Sequence, residues 1–137
     1  MRTAIDSNVF SAMWSREPFA AEVAQKLGNA KSEGGLVVAA AVYAELLAYP
    51  NLGESSIRDF IENTGIAVDF DLPQSVWIVA GQRFARYAHR RRRSAREGPR
   101  RLLVDFIIGA HALSQADRLM TLDPRPYKQD FPELKLI

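Results

Sequence analysis

Residues 36–40 read Leu-Val-Val-Ala-Ala, "LVVAA", directly after the pair Gly34-Gly35. The centre is β-branched and both alternating faces are apolar. Such a segment suits a strand buried on both sides, as in a parallel sheet covered by helices. Working outward, Arg2–Ile5 and Ile66–Phe70 ("IAVDF") are further short strands. Arg118–Asp123 ("RLMTLD") is a fourth, and "LKLI" at 134–137 a fifth.

Helical spacing fills the intervals. Asn8–Trp14 and Pro18–Leu27 are helices, the second with its proline in the first turn, where a missing N–H costs little. Ala41–Ala48 is another, stopped by Pro50, and Glu54–Asn63 is closed by Gly65. Pro73 and Gln74 open a long helix in which Val76, Trp77, Val79, Ala80, Phe84 and Tyr87 recur on helical spacing. It runs into a stretch of arginines, and Gly98-Pro99 breaks the chain. Leu102–Gln115 is a further helix, and residues 124–133 read as a loop. Strands alternating with helices predict a three-layer α/β domain with a parallel sheet. In such sheets ligands bind beyond the carboxyl ends of the strands, where strand order reverses.

The chain has 137 residues, which predicts a single domain over 1–137. Apolar residues at 47% exclude a disordered composition. With no cysteine, a disulfide framework and a thiolate metal site are both excluded. Residues 1–15 lack the pattern of a signal peptide. No apolar stretch reaches the ~20 residues that a membrane span needs. The expectation is a soluble, cytoplasmic protein with no membrane partner.

Three acids fall at or just after the predicted strand ends, and a fourth opens a later helix. Asp6 follows the first strand, Glu45 lies in the helix after the second, and Asp123 follows the fourth. Asp105 sits near the start of "LLVDFIIGAHAL". That helix is apolar nearly all round, so it reads as buried, and a buried carboxylate needs a partner such as a cation. Gly109 and Ala112 share the face of Asp105 and predict close approach to another backbone. Convergent carboxylates without cysteine, in a chain with two histidines, point to a hard cation, Mg²⁺ or Mn²⁺. Such an ion makes hydroxide from bound water and neutralises charge building on a phosphoryl group. Each acid alone has an ordinary explanation. Asp6 with Ser7 and Asn8 is a helix cap, Asp123-Pro124 a turn, and Asp105 a first-turn acid facing the helix dipole. All four at one end of the sheet are harder to explain that way. His111 reads as a packing or hydrogen-bonding residue, and Trp14, Trp77, Phe84 and Tyr87 as core or interface.

These stretches together resemble the PIN-domain family, in particular the VapC-type toxins of bacterial toxin–antitoxin pairs. "IDSNVF" is similar to the family's first acidic motif, "VYAELLA" to the second, "LLVDFIIGAHAL" to the third and "RLMTLDPRPYKQDFPELKLI" to the closing stretch. The resemblance implies a PIN-like three-layer sandwich, its central, mainly parallel sheet of about five strands flanked by helices. It implies a metal-dependent endoribonuclease in which Asp6, Glu45, Asp105 and Asp123 hold Mg²⁺ or Mn²⁺, with Asp6 and Asp105 the most direct ligands. Ser7, Asn8 and Thr121 would orient carboxylates or water. The products implied carry a 5′-phosphate and a 3′-hydroxyl. A homodimer is also implied, together with a cognate antitoxin whose C-terminal segment fills an apolar groove to which Phe10, Met13 and Trp14 contribute.

Charge is unevenly spread. Residues 86–101, "RYAHRRRRSAREGPRR", hold eight arginines and one glutamate, whereas the whole chain carries only +2, so the remainder is net acidic. Phosphate backbones are bound largely by Arg and Lys. Arg90, Arg91, Arg92, Arg93, Arg96, Arg100 and Arg101 precede Asp105 closely and would flank its cleft. They suit structured RNA such as tRNA or rRNA, cut in an exposed loop. Two rival readings stand beside this one. In the first, the chain is a non-catalytic RNA-binding module using the Arg86–Arg101 segment, with the acids as caps. In the second, it is a phosphomonoesterase with an aspartyl nucleophile; that chemistry usually wants a second acid where Asn8 stands.

Overall fold

The structure, a computed structural model, describes residues 1–94 and 100–137. Arg96 and the expected break at Gly98-Pro99 lie outside the described residues. The elements are β1 (Thr3–Ile5), α1 (Ser7–Trp14), α2 (Ala20–Glu33), β2 (Leu36–Ala39), α3 (Ala40–Leu46), α4 (Glu54–Thr64), β3 (Ile66–Asp69), α5 (Gln74–Ser94), α6 (Leu103–Gln115), β4 (Arg118–Met120) and α7 (Pro124–Asp130).

The four strands form one sheet in the order β3-β2-β1-β4, all pairs parallel. Thr3 lies opposite both Leu36 and Arg118, and Leu36 opposite Ile66. This register brings the carboxyl ends of all four strands to one edge. The chain steps from β1 to β2 to β3 in one direction, then returns past β1 to place β4 on its other side. The loops leaving β1 and β4 therefore diverge between neighbouring strands, which is where such sheets open a crevice. Every residue of β1, β2 and β4 is buried, as the apolar reading of "LVVAA" required. No helix of the described residues is long and apolar enough to cross a membrane.

Two expectations change. The fifth strand is reduced to a single parallel bridge, Leu119↔Leu136, with Leu119 N–H donating to the Lys135 carbonyl at 2.9 Å. β4 is only three residues long, and Leu134 is held in a turn to Phe131, so little straight chain is left to pair. The expected loop after Asp123 contains α7. Its two prolines, Pro124 and Pro126, sit in the first turn, where backbone N–H groups have no helical partner to lose.

The long helices follow their apolar spacing. Val23, Leu27 and Ala30 carry α2 past the expected end to Glu33. In α6, Phe106, Ile108, Gly109, Ala110, His111 and Ala112 are buried, but Leu102 and Leu103 at its start are 63% and 47% exposed. Burial thus begins one residue after Asp105 and leaves that acid at the boundary. Gly109 makes a close approach, though to a ring and not to a backbone. A Cβ there would lie 2.4 Å from the Phe131 ring. Gly109→Ala is therefore expected to destabilise the protein by about 1–3 kcal/mol as Phe131 is pushed from its place, measured by urea unfolding.

His111 is 1% exposed, and its Nε2 lies 2.8 Å from Asp69 Oδ2, tying α6 to edge strand β3. Burial pushes its pKa below the ordinary 6.5, opposed by the hydrogen bond and charge of Asp69. The unfolded chain takes up this proton as pH falls through about 6.5, while the folded chain resists. His111 therefore supports the fold fully above that pH and progressively less below it. Between pH 7.5 and 5.5, the melting temperature of wild type is expected to fall more than that of His111→Gln.

Candidate active site

Asp6 follows β1 and stands at the N-cap position of α1, yet its side chain does not cap that helix. It turns inward, 6% exposed. Its Oδ2 accepts hydrogen bonds from the Thr121 hydroxyl at 2.9 Å, the Tyr127 phenol at 2.9 Å and the Asn8 amide at 3.4 Å. The Asn8 amide also donates to Thr121 Oγ1 at 3.3 Å, and Asn8 Oδ1 accepts from Leu122 N–H at 3.1 Å. These bonds cross the divide between β1 and β4 and fix Asp6 from both sides.

Asp105 lies in the first turn of α6, and its charge pushes the Asp6 pKa upward. The main cause of that upward shift is burial, opposed by the hydrogen bonds of Thr121 and Tyr127. Glu45 sits on α3 at the rim. Its pKa is raised first by desolvation, opposed by a hydrogen bond from Ser7, and raised further by the charges of Asp6 and Asp105. Three acids from three elements thus share one field at the carboxyl edge of the sheet.

The acids predicted from sequence do not all stand alike. Asp105 accepts from Leu102 N–H at 3.2 Å, so it also closes its own helix end. Asp123 is largely exposed and pairs with Arg101. Among the described residues, no group of three carboxylate or imidazole side chains is arranged to hold a metal ion as it stands. The donor set nevertheless suits a hard cation. It offers oxygen ligands, with Asp6 and Glu45 held above the ordinary carboxylate pKa first by burial and then by neighbouring acid charge, and His111 is committed to Asp69.

The arginine run is divided by the structure. Arg90 pairs with the buried Asp130, and Arg83, just upstream of the run, pairs with Glu133. Arg91 approaches the Tyr87 hydroxyl at 3.5 Å. Arg92, Arg93 and Arg100 are exposed. Tyr127 was not legible as a site residue because its helix reads as a loop. Phe84, Tyr87 and Phe106 pack together as core, whereas Trp77 is 52% exposed. Trp14, Tyr49 and Phe60 line a groove of about 680 Å³ together with Pro50 and Leu52. Phe10 is buried behind it.

A family model described as PIN domain matches residues 3–132. A comparison with curated proteins finds no match. Among solved structures, the chain is similar to VapBC-1 from nontypeable Haemophilus influenzae, with a TM-score of 0.67 and 19% identity over 100% of this chain and 97% of that one. It is similar to VapBC2 from Rickettsia felis, solved bound to a DNA fragment from their promoter, with a TM-score of 0.70 and 15% identity over 100% and 98%. FitAcB from Neisseria gonorrhoeae matches with a TM-score of 0.67 and 18% identity over 98% and 96%. At these identities the likeness is one of fold.

Proposed function

The chain belongs to the PIN domain family, and on that premise we propose that it is a Mg²⁺- or Mn²⁺-dependent endoribonuclease, the toxin of a toxin–antitoxin pair. The observation that carries this reading is the buried Asp6, held beyond the carboxyl end of β1 by Thr121, Tyr127 and Asn8, with the charge of Asp105 near enough to act on it. When bound, the cation supplies a hydroxide from water and neutralises phosphoryl charge.

The chain's own residues supply the rest. Asp6 and Asp105 are the principal ligands, with Glu45 at the rim. Thr121, Tyr127 and Asn8 orient Asp6, which limits the rearrangement needed on loading. Ser7 does the same for Glu45. Asp123, exposed at the start of α7, is the outermost acid. The exposed Arg92, Arg93 and Arg100 bind the RNA backbone and offset the negative site. The aromatic groove at Trp14, Tyr49 and Phe60 accepts an antitoxin segment. The working form is a homodimer.

The test is cleavage of a pooled tRNA and rRNA sample with Mg²⁺, with Mn²⁺ and with EDTA, beside a folded Asp105→Asn variant. Discrete fragments lost with EDTA and with Asp105→Asn are expected. Well-folded protein that binds RNA in a salt-sensitive way, yet leaves it intact under every condition, would establish the non-catalytic binding module instead.

A further inference from the structure

Arg101 belongs to the basic run by sequence and to the acid cluster by position. Its Nη2 lies 3.4 Å from Asp105 Oδ2, and its Nη1 lies 3.5 Å from Asp123 Oδ2. One guanidinium therefore spans two of the four acids. The guanidinium carbon is 5.9 Å from the Tyr127 ring centre, and the Arg101 backbone N–H donates to the Tyr87 hydroxyl at 2.7 Å. The side chain is only 21% exposed. The cleft it lines with Asp105, Tyr127 and Asp130 is too narrow to admit a water molecule. Arg100, one residue away, is exposed.

Two consequences follow from charge and geometry. A divalent cation drawing Asp105 and Asp123 inward must compete with the fork that now holds them. Once displaced, that fork stays anchored through its backbone at Tyr87, beside the acids, with five donors to place. A planar guanidinium matches phosphate oxygens two at a time. We propose that Arg101 is a working residue of this site: it bridges Asp105 and Asp123 while the metal is absent, and binds the RNA phosphate at the cluster once a divalent cation has taken those acids. This rests on the metal-nuclease reading above. It also accounts for acids that share a field without converging on one point.

The experiment is Mn²⁺ titration by calorimetry of wild type, Arg101→Gln, Arg101→Lys and Arg100→Gln, each checked by circular dichroism, followed by RNA cleavage at saturating Mn²⁺. Removing the competitor tightens Mn²⁺ binding by about fivefold in Arg101→Gln, the scale of a partly exposed ion pair. Arg100→Gln, with the same loss of charge, keeps the Mn²⁺ affinity of wild type. Arg101→Lys, which keeps the charge and loses the fork, falls between. Cleavage by Arg101→Gln at saturating Mn²⁺ drops about tenfold, because the phosphate has lost a bidentate partner. Unchanged or weaker Mn²⁺ binding by Arg101→Gln overturns the competition, as does equal tightening in Arg100→Gln. Tighter binding with full cleavage overturns the phosphate role. If wild type and every variant fail to bind Mn²⁺, the metal reading itself is wrong, and this inference falls with it.

Discussion

With Asp6 replaced by asparagine, RNA cleavage falls by roughly a thousandfold, the scale of several kcal/mol of metal-derived stabilisation, while the metal-free protein melts at a higher temperature than wild type. The two effects have one cause. Asp6 is buried, and burial together with the nearby charge of Asp105 raises its pKa against the pull of Thr121 and Tyr127. In the unfolded chain the carboxyl ionises freely above about 3.8. In the folded chain ionisation is resisted, so stability declines as pH rises through the folded value, and the deficit is present at pH 7. Asparagine keeps an oxygen to accept from Thr121 and Tyr127 and carries no charge. Melting in EDTA at pH 7 and at pH 4 checks this, and the advantage of Asp6→Asn should shrink toward the lower pH. A variant that cleaves normally would remove Asp6 from the site. One that melts lower at pH 7 would show that the carboxylate stabilises the fold.

The second large effect is at Tyr127. The residue is 2% exposed; its ring packs 6.4 Å from that of Phe131, and its phenol donates to Asp6. Tyr127→Ala opens a cavity beneath α7 and is expected to cost about 3–5 kcal/mol, a large part of what holds a domain of this size together. Tyr127→Phe keeps the ring and removes only the donor. Its expected stability loss is smaller, about 1–3 kcal/mol, yet cleavage drops roughly tenfold because Asp6 is less firmly oriented. Chemical denaturation and cleavage rates of the pair separate packing from orientation. Equal cleavage by Tyr127→Phe and wild type would reduce Tyr127 to a core residue.

The contrast between Asp6 and Tyr127 shows where reading the chain succeeds. Asp6 is visible because a short apolar strand ends on a carboxylate, and Glu45 and Asp105 are visible as charges inside apolar helices. Local pattern carries that information. Tyr127 is invisible because Pro124 and Pro126 disguise a helix as a loop, and nothing nearby in sequence shows which acid its phenol would meet. The arginines fail differently. Eight in sixteen residues announce a basic surface. The partners of Arg90 and Arg101, however, are Asp130 and the pair Asp105 and Asp123, which follow in α7, α6 and the α7 cap.

The sequence by itself determined the parallel α/β architecture. A strand apolar on both faces, as in residues 36–40, can be buried only between helices. The sequence also placed Asp6 and Asp123 just after strands and Glu45 and Asp105 inside apolar helices, because periodicity and chain breaks are properties of neighbours along the chain. The tertiary structure alone decided that β4 returns beside β1, that Thr121 and Tyr127 close on Asp6 from that side, and that Arg101 lies across two acids. Those outcomes depend on side chains as many as 121 residues apart meeting, and a contact of that range is set by how the elements pack together.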